Sequence, residues 1–256
     1  MMWGFPPLMK ASALRKMGFR WLFAASEGQI PDIGGAVRPL PKYEIVFLDL
    51  EGTLVDPGPG AVQAVQHALA QVGVNEESPY RLRRLIGPPL QDAFRLYYNL
   101  DELEALKAEE RYRQHYLEYG ILENHLYDGI EELLGNLQGN RVGLVALSSR
   151  HTTYLNQVLR QFGIFRFFAV TRGSSLGRTL ARKSELVGAV LDELPVLKQK
   201  SLVIVGDREQ DVSAAHDHSI DSIAVSYGYG SQEELRNADP TYTVDSVEEL
   251  SKLLLD

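Results

Sequence analysis

The chain has 256 residues, of which 45% are hydrophobic and 23% charged, enough for one large domain or a core with a smaller insert. It contains no cysteine, which excludes a disulfide framework, thiolate metal sites and a cysteine nucleophile. No apolar run approaches the roughly 18 residues of a membrane span, and the net charge of −8 argues against a nucleic-acid-binding surface. We therefore expect a cytoplasmic protein without membrane or nucleic-acid partners.

The first 42 residues differ in charge from the rest, with six basic residues and two acidic ones. Cationic, acid-poor segments are typical of targeting peptides, but the apolar run at 21–25 is short and no convincing cleavage site follows. Residues 28–41 are rich in glycine and proline, as linkers are. We interpret residues 1–42 as an N-terminal extension outside the fold.

Strands and helices alternate in the remaining chain. Short apolar runs predict strands at 44–49, 142–147, 167–170 and 202–205, with a weaker one at 222–225. Between them, apolar residues recur at helical spacing, as in Ile130, Leu133, Leu134 and Leu137. This pattern predicts an α/β fold with a doubly wound parallel sheet, in which ligands bind beyond the carboxyl ends of the strands.

Residues 58–128 interrupt that alternation. They show helical periodicity, including Tyr112 and Tyr116 in register on a long charged helix, and no evident strand. We predict an all-helical insert, or cap, at 58–128 with hinges near Pro57 and Gly129. The α/β core then consists of residues 43–57 and 129–256.

Two acidic residues follow the first predicted strand, in the run Asp49-Leu50-Glu51-Gly52-Thr53. Side chains two positions apart in an extended chain point to the same face, so both carboxylates are expected in one pocket. Glycine lets the backbone turn there and approach an anion closely. Such carboxylates can act as nucleophile and general acid/base, although a solvated loop would carry the same residues.

A second acidic pair, Asp207 and Asp211, follows the strand at 202–205. The two residues lie one helical turn apart and can face a common cation, and oxygen ligands of this kind suit Mg²⁺. The alternative interpretation is that Asp207 only caps the helix that follows.

Three further positions carry groups that suit a phosphoryl ligand. Ser148 and Ser149 follow the strand at 142–147, and Lys183 opens a predicted helix, so hydroxyl and ammonium groups can bind the phosphoryl oxygens and offset their charge. Arg150 could contact the substrate, or could simply lie at a helix start near the surface.

In this order the four motifs resemble those of the haloacid dehalogenase superfamily, from about residue 42 to the end of the chain. The greatest similarity is to members with a helical cap that are like phosphoglycolate phosphatase, because three short stretches have close counterparts there. These are Leu-Ile-Gly-Pro-Pro-Leu at 85–90, Gly-Ser-Ser-Leu at 173–176 and Tyr-Gly-Tyr-Gly-Ser at 227–231.

The resemblance implies that Asp49 forms an aspartyl-phosphate and that Glu51 is the general acid/base. Mg²⁺ would be held by Asp49, the backbone carbonyl of Glu51 and Asp207, while Asp211 would order its waters. Ser148 and Lys183 would bind the phosphoryl oxygens alongside backbone amides near Leu50 and Glu51. Ser149, Gly52 and Thr53 are further candidate phosphate-binding residues. The substrate would be a small phosphorylated metabolite, with a phosphoglycolate-like ester as the first expectation.

Glu51 departs from the family pattern, which usually has aspartate there. The extra methylene moves the carboxyl group by roughly 1 Å, and such a shift can cost about 100-fold in rate. Glutamate has nearly the same intrinsic pKa and can transfer the same protons, so we expect a working acid/base. The alternatives are a nucleotidase, a pyrophosphatase or a sugar phosphomutase of the same superfamily, or an inactive binding protein.

Overall fold

The computed structural model describes residues 41–86, 89–174, 182–194 and 201–256. Nearly all of the predicted N-terminal extension, residues 1–40, lies outside these ranges. The strands are β1 (Ile45–Asp49), β2 (Val55–Asp56), β3 (His125–Leu126), β4 (Gly143–His151), β5 (Val170–Ser174), β6 (Leu202–Gly206), β7 (Asp221–Val225) and β8 (Tyr242–Val244). The helices are α1 (Gly58–Gln71), α2 (Pro79–Arg83), α3 (Leu90–Tyr98), α4 (Glu102–Glu118), α5 (Ile130–Gly139), α6 (Thr152–Gln161), α7 (Lys183–Glu193), α8 (Glu209–Asp217), α9 (Gln232–Asn237) and α10 (Val247–Leu255).

Six strands form one parallel sheet in the order β5-β4-β1-β6-β7-β8. The side chains of β1 alternate between its two faces, as the pleat requires. Val46 and Leu48 belong to a core with residues of α5, α6 and α10, whereas Ile45 and Phe47 pack with residues of α7 and α8. The sheet is therefore covered on both sides, and the predicted doubly wound α/β fold is confirmed.

Helices α1 to α4 and a short 3-10 turn occupy the chain between β2 and β3, which pair with each other in antiparallel fashion. Helix α1 packs along α4 through small and apolar residues, among them Ala64, Ala68 and Ala108. Asp101 and Glu104 form a capping box that fixes the start of α4. We refer to residues 58–128 as the cap segment; its division from the core at these bounds stays a prediction.

Two strand predictions need correction. The prediction of a strand at 167–170 is wrong, because Phe167 is the last residue of a 3-10 turn and β5 begins only at Val170. A short apolar run indicates a buried segment but does not show whether that segment is a strand or a turn. Strand β4 continues to His151, with a register irregularity after Leu147, so Ser148 lies within the strand and not beyond it. The apolar run at 142–147 did not predict this extension.

The sequence patterns also missed three short strands. β8 lies at the sheet edge, β2 follows the first acidic motif, and β3 falls inside the segment predicted to be all-helical. Within the described ranges, no helix is long and apolar enough to cross a bilayer.

Candidate active site at the carboxyl end of the sheet

Three buried carboxylates converge beyond the carboxyl ends of two neighbouring strands. Asp49 is the last residue of β1, Asp207 directly follows β6, and Asp211 lies in the first turn of α8. One carboxylate oxygen from each lies within 4.8 Å of the other two. The adjacency of β1 and β6 brings the two predicted acidic motifs together.

Lys183 supplies the opposite charge from the other side of the cluster. It is the first residue of α7, and its buried Nζ lies 2.5 Å from Oδ1 of Asp49 and 2.6 Å from Oδ1 of Asp211. Burial lowers the pKa of Lys183, but the carboxylates of Asp211 and Asp49 outweigh it, so the net pKa lies above the ordinary value. The lysine is therefore held protonated between two acids.

One ammonium group does not balance three carboxylates. Burial raises the pKa of Asp49 to about 7 although Lys183 acts in the opposite direction, and it raises the pKa of Asp207 well above its ordinary value. Asp211 and Asp49 add to these shifts because like charges repel at short range. The three carboxyl groups therefore resist being ionised together, and a bound cation would favour their ionised forms.

The surroundings of Asp207 leave one carboxylate oxygen for a metal. Its Oδ2 accepts a hydrogen bond of 2.7 Å from the backbone N–H of Tyr229, whereas its buried Oδ1 has no hydrogen-bond partner among the described residues. Gly52 makes room for this side chain: it has a φ of +81°, and a Cβ there would lie 2.0 Å from Oδ2 of Asp207. Three carboxylates with one unpartnered oxygen fit a hard divalent cation such as Mg²⁺.

The side chain of Glu51 contacts Arg150 and Tyr154 rather than the acidic cluster. Its Oε2 lies 2.5 Å from Nε of Arg150, and its Oε1 accepts a hydrogen bond of 2.9 Å from the hydroxyl of Tyr154 on α6. The alternative interpretation of Glu51 as a solvated loop acid is wrong, because its side chain is only 9% exposed. Arg150 is likewise not a free surface residue.

Two of the three predicted phosphate-binding hydroxyls, those of Ser148 and Ser149, lie in β4, the strand beside Asp49. Ser148 follows Leu147, which pairs with Asp49 across the sheet, and its buried Oγ accepts a hydrogen bond of 3.1 Å from the N–H of Arg150. Ser149 is half-buried next to it. Thr53 is fully buried, and its hydroxyl has no hydrogen-bond partner in the described part of the chain. Their roles toward phosphate remain predictions.

Sequence reasoning missed the groups that join the site to the cap segment. Arg208, and not Asp207, occupies the cap position of α8, so the interpretation of Asp207 as a helix cap is wrong. Arg208 donates to the carbonyl of Ile86 at 2.7 Å and to Oε1 of Glu234 at 2.7 Å. The only sequence signal was that both Ile86 and Tyr229 fall in stretches singled out by the resemblance.

The comparisons with known proteins agree with this geometry. The family model of haloacid dehalogenase-like hydrolases matches residues 45–225. The chain therefore belongs to the haloacid dehalogenase-like hydrolases. A predicted phosphatase from Clostridium acetobutylicum has a similar structure, with a TM-score of 0.77 and 38% identity over 82% of this chain and 97% of that one.

Three curated relatives cover most of the chain. A 5'-nucleotidase from Pseudomonas aeruginosa is 36% identical over 83% of this chain and 96% of its own. Tyrosine-protein kinase PtkA from Mycobacterium tuberculosis is 34% identical over 76% of this chain and 66% of its own. A phosphoglycolate phosphatase from Nitrosococcus oceani is 27% identical over 84% of this chain and 98% of its own. Family, site and relatives define a phosphoric monoester hydrolase of the phosphatase type that acts on small phosphorylated substrates.

Proposed function

We propose that this protein is a Mg²⁺-dependent phosphatase that hydrolyses a small phosphate monoester through an aspartyl-phosphate on Asp49. The observation that carries the proposal is the placement of Asp49 at the end of β1, against Lys183 and within 4.8 Å of Asp207 and Asp211. A carboxylate attacks a dianionic ester only when nearby positive charge offsets the repulsion, and Lys183 provides part of that offset.

The reaction divides into two displacements at phosphorus. An Asp49 oxygen forms the new P–O bond while the ester P–O bond breaks, and the leaving alkoxide takes a proton from Glu51. A water then attacks phosphorus, gives its proton to Glu51 and releases phosphate from Asp49. Ser148, Ser149, Gly52 and Thr53 are the candidates for binding the phosphoryl oxygens through hydroxyl or backbone N–H groups.

Mg²⁺ would bind at the acidic cluster of Asp49, Asp207 and Asp211. We assign Asp49, Asp207 and the backbone carbonyl of Glu51 as its ligands, with Asp211 bound to its waters. When bound, Mg²⁺ supplies charge neutralisation and orients the phosphoryl group. The unpartnered Oδ1 of Asp207 supports this assignment.

The names of the relatives suggest two substrate classes for this site. The relative named 5'-nucleotidase shares 36% of its residues with this chain, and the phosphoglycolate phosphatase 27%. We therefore propose nucleoside 5'-monophosphates as the first class to test and 2-phosphoglycolate as the second. Both are phosphate monoesters whose leaving group is an alcohol, so the same residues can catalyse the hydrolysis of either one.

The test is a panel of phosphate esters measured for phosphate release with and without Mg²⁺. We expect Mg²⁺-dependent turnover of at least one ester, loss of that turnover in Asp49→Asn, and a loss of about 100-fold in Glu51→Asp. The panel includes pyrophosphate, and glucose 1-phosphate with product analysis for a mutase. No turnover of any compound, together with no binding of beryllofluoride at Asp49, would contradict the proposal and favour a binding protein.

A further inference from the structure

Both carboxylate oxygens of Glu51 are already bound to protein groups. Arg150 occupies one and the Tyr154 hydroxyl the other, so the position of the carboxylate is set by two neighbours. A glutamate has one more rotatable bond than the aspartate usual in this family. Fixed partners at both oxygens remove that extra freedom, which would otherwise spread the carboxylate over several positions.

Arg150 is in turn held by the cap segment. Its Nη2 donates a hydrogen bond of 2.8 Å to the hydroxyl of Tyr112 on α4, and its guanidinium carbon lies 5.1 Å from the centre of the Tyr112 ring. The rings of Tyr116 and Tyr154 lie 5.5 Å from the same atom. Three aromatic rings and one hydroxyl therefore fix a guanidinium whose side chain is only 19% exposed.

Successive side-chain contacts connect Tyr112 in the cap segment, through Arg150, to Glu51. Tyr112 is 38 residues from Arg150, and Arg150 is 99 residues from Glu51, so only the folded arrangement joins them. Tyr116 adds a second link across the same boundary, because its hydroxyl lies 3.1 Å from that of Tyr154.

We propose that Arg150 is a positioning residue that orients Glu51 for proton transfer, and that Tyr112 on α4 holds Arg150 in the orientation that does so. Glu51 is then correctly placed only while α4 lies over the site. This inference rests on the proposed function, because it assigns a role within the same reaction. It differs from a direct contact of Arg150 with substrate, because Nε and Nη2 of the guanidinium already contact Glu51 and Tyr112.

Esters with different leaving groups distinguish a positioning role of Arg150 from a direct contact with substrate. A 4-nitrophenolate leaves without a proton, whereas an alkoxide needs one, so proton donation matters only for alkyl phosphates. The measurement is the single-turnover rate at which each ester phosphorylates Asp49. We expect Arg150→Gln to lower this rate by about 100-fold for an alkyl phosphate and by less than about fivefold for 4-nitrophenyl phosphate. A direct substrate contact would instead weaken binding of both esters by a similar factor, and that result would overturn the proposal.

A double-mutant cycle tests whether Arg150 acts through Glu51. In a Glu51→Gln background, we expect Arg150→Gln to slow the alkyl phosphate by less than about threefold more. Full additivity of the two losses would overturn the proposal. Arg166→Gln is the matched control, because Arg166 pairs with Glu131 where both side chains are more than half exposed, and it should leave both rates unchanged.

Tyr112→Phe keeps the packing in case Arg150→Gln fails to fold. Loss of the hydroxyl alone should slow the alkyl ester by roughly three- to tenfold and spare the aryl ester. Equal rates in Tyr112→Phe and wild type would overturn the role of α4. A wild-type protein that turns over neither ester overturns the proposed function and this inference together, whereas an active wild type with an unselective Arg150→Gln overturns only the inference.

Discussion

Nζ of Lys183 lies 2.5 Å from Oδ1 of Asp49, and the same atom lies 2.6 Å from Oδ1 of Asp211. One buried ammonium therefore joins the end of β1 to the first turn of α8 from its place at the start of α7. Because these ion pairs are almost fully removed from water, loss of one partner leaves an uncompensated buried charge and carries a large free-energy penalty.

Replacing Lys183 with methionine should therefore destabilise the metal-free protein. The buried carboxylates of Asp49 and Asp211 would lose their paired positive charge, at a cost of about 3–5 kcal/mol in the free energy of unfolding. Urea unfolding at neutral pH in the presence of a chelator measures it. Lys252→Met, at an exposed position on α10, is the control and should change stability by less than about 0.5 kcal/mol. Equal stability of Lys183→Met and wild type would contradict the ion-pair role.

Magnesium should raise the thermal unfolding temperature of the wild type. At a concentration of 100 times the Kd, binding to the folded state adds about 2.7 kcal/mol, and a chelator should remove it. Asp207→Asn should abolish most of this stabilisation, because it replaces a charged ligand with an amide. Asp92→Asn, at an exposed position on α3, should retain it. An equal magnesium response in both variants would mean that the ion binds elsewhere.

Gly52 should tolerate no side chain. Gly52→Ala would place a methyl group 2.0 Å from Oδ2 of Asp207, so the carboxylate must move and the magnesium response should be lost. Gly73 is the matched control, since its φ of +80° equals that of Gly52 within a degree and nothing lies within 4 Å of a Cβ there. Gly73→Ala should cost only the backbone strain, about 1 kcal/mol, and keep the magnesium response. A retained response in Gly52→Ala would show that the close approach is not needed.

His115 on α4 should make stability depend on pH. Burial lowers its pKa and the nearby ring of His67, with centroids 4.5 Å apart, acts in the same direction, while Glu118 and Glu123 oppose both. A histidine with a lowered folded-state pKa binds fewer protons than in the unfolded chain, so stability is lost as pH falls through the unfolded value near 6.5.

The comparison of two histidine variants measures this effect. When the pH is lowered from 7.5 to 5.5, the thermal unfolding temperature of His115→Gln should fall less than that of the wild type. His125→Gln, at an exposed position on β3, should behave as the wild type does. Identical pH dependence in wild type and His115→Gln would contradict the prediction.

The sequence by itself determined the fold class and the place of the site. Apolar runs of strand length alternate with helical stripes, and the carboxyl ends of parallel strands meet at one edge of a sheet. Polar residues at the ends of two such runs, Asp49 and Asp207, were therefore expected to meet, and the structure brings them together with Lys183 and Asp211. Local periodicity carries this information because it reports which face of an element is buried.

Only the tertiary structure decided how Glu51 is held. The sequence marked Glu51 as a departure and left Arg150 as a possible substrate contact or a surface residue, yet the two form an ion pair across 99 positions. Their meeting depends on the extension of β4 past Leu147 and on α4 bringing Tyr112 over the site. Periodicity gives the face of each element but not which side chains of different elements touch, because that follows from packing among all of them at once.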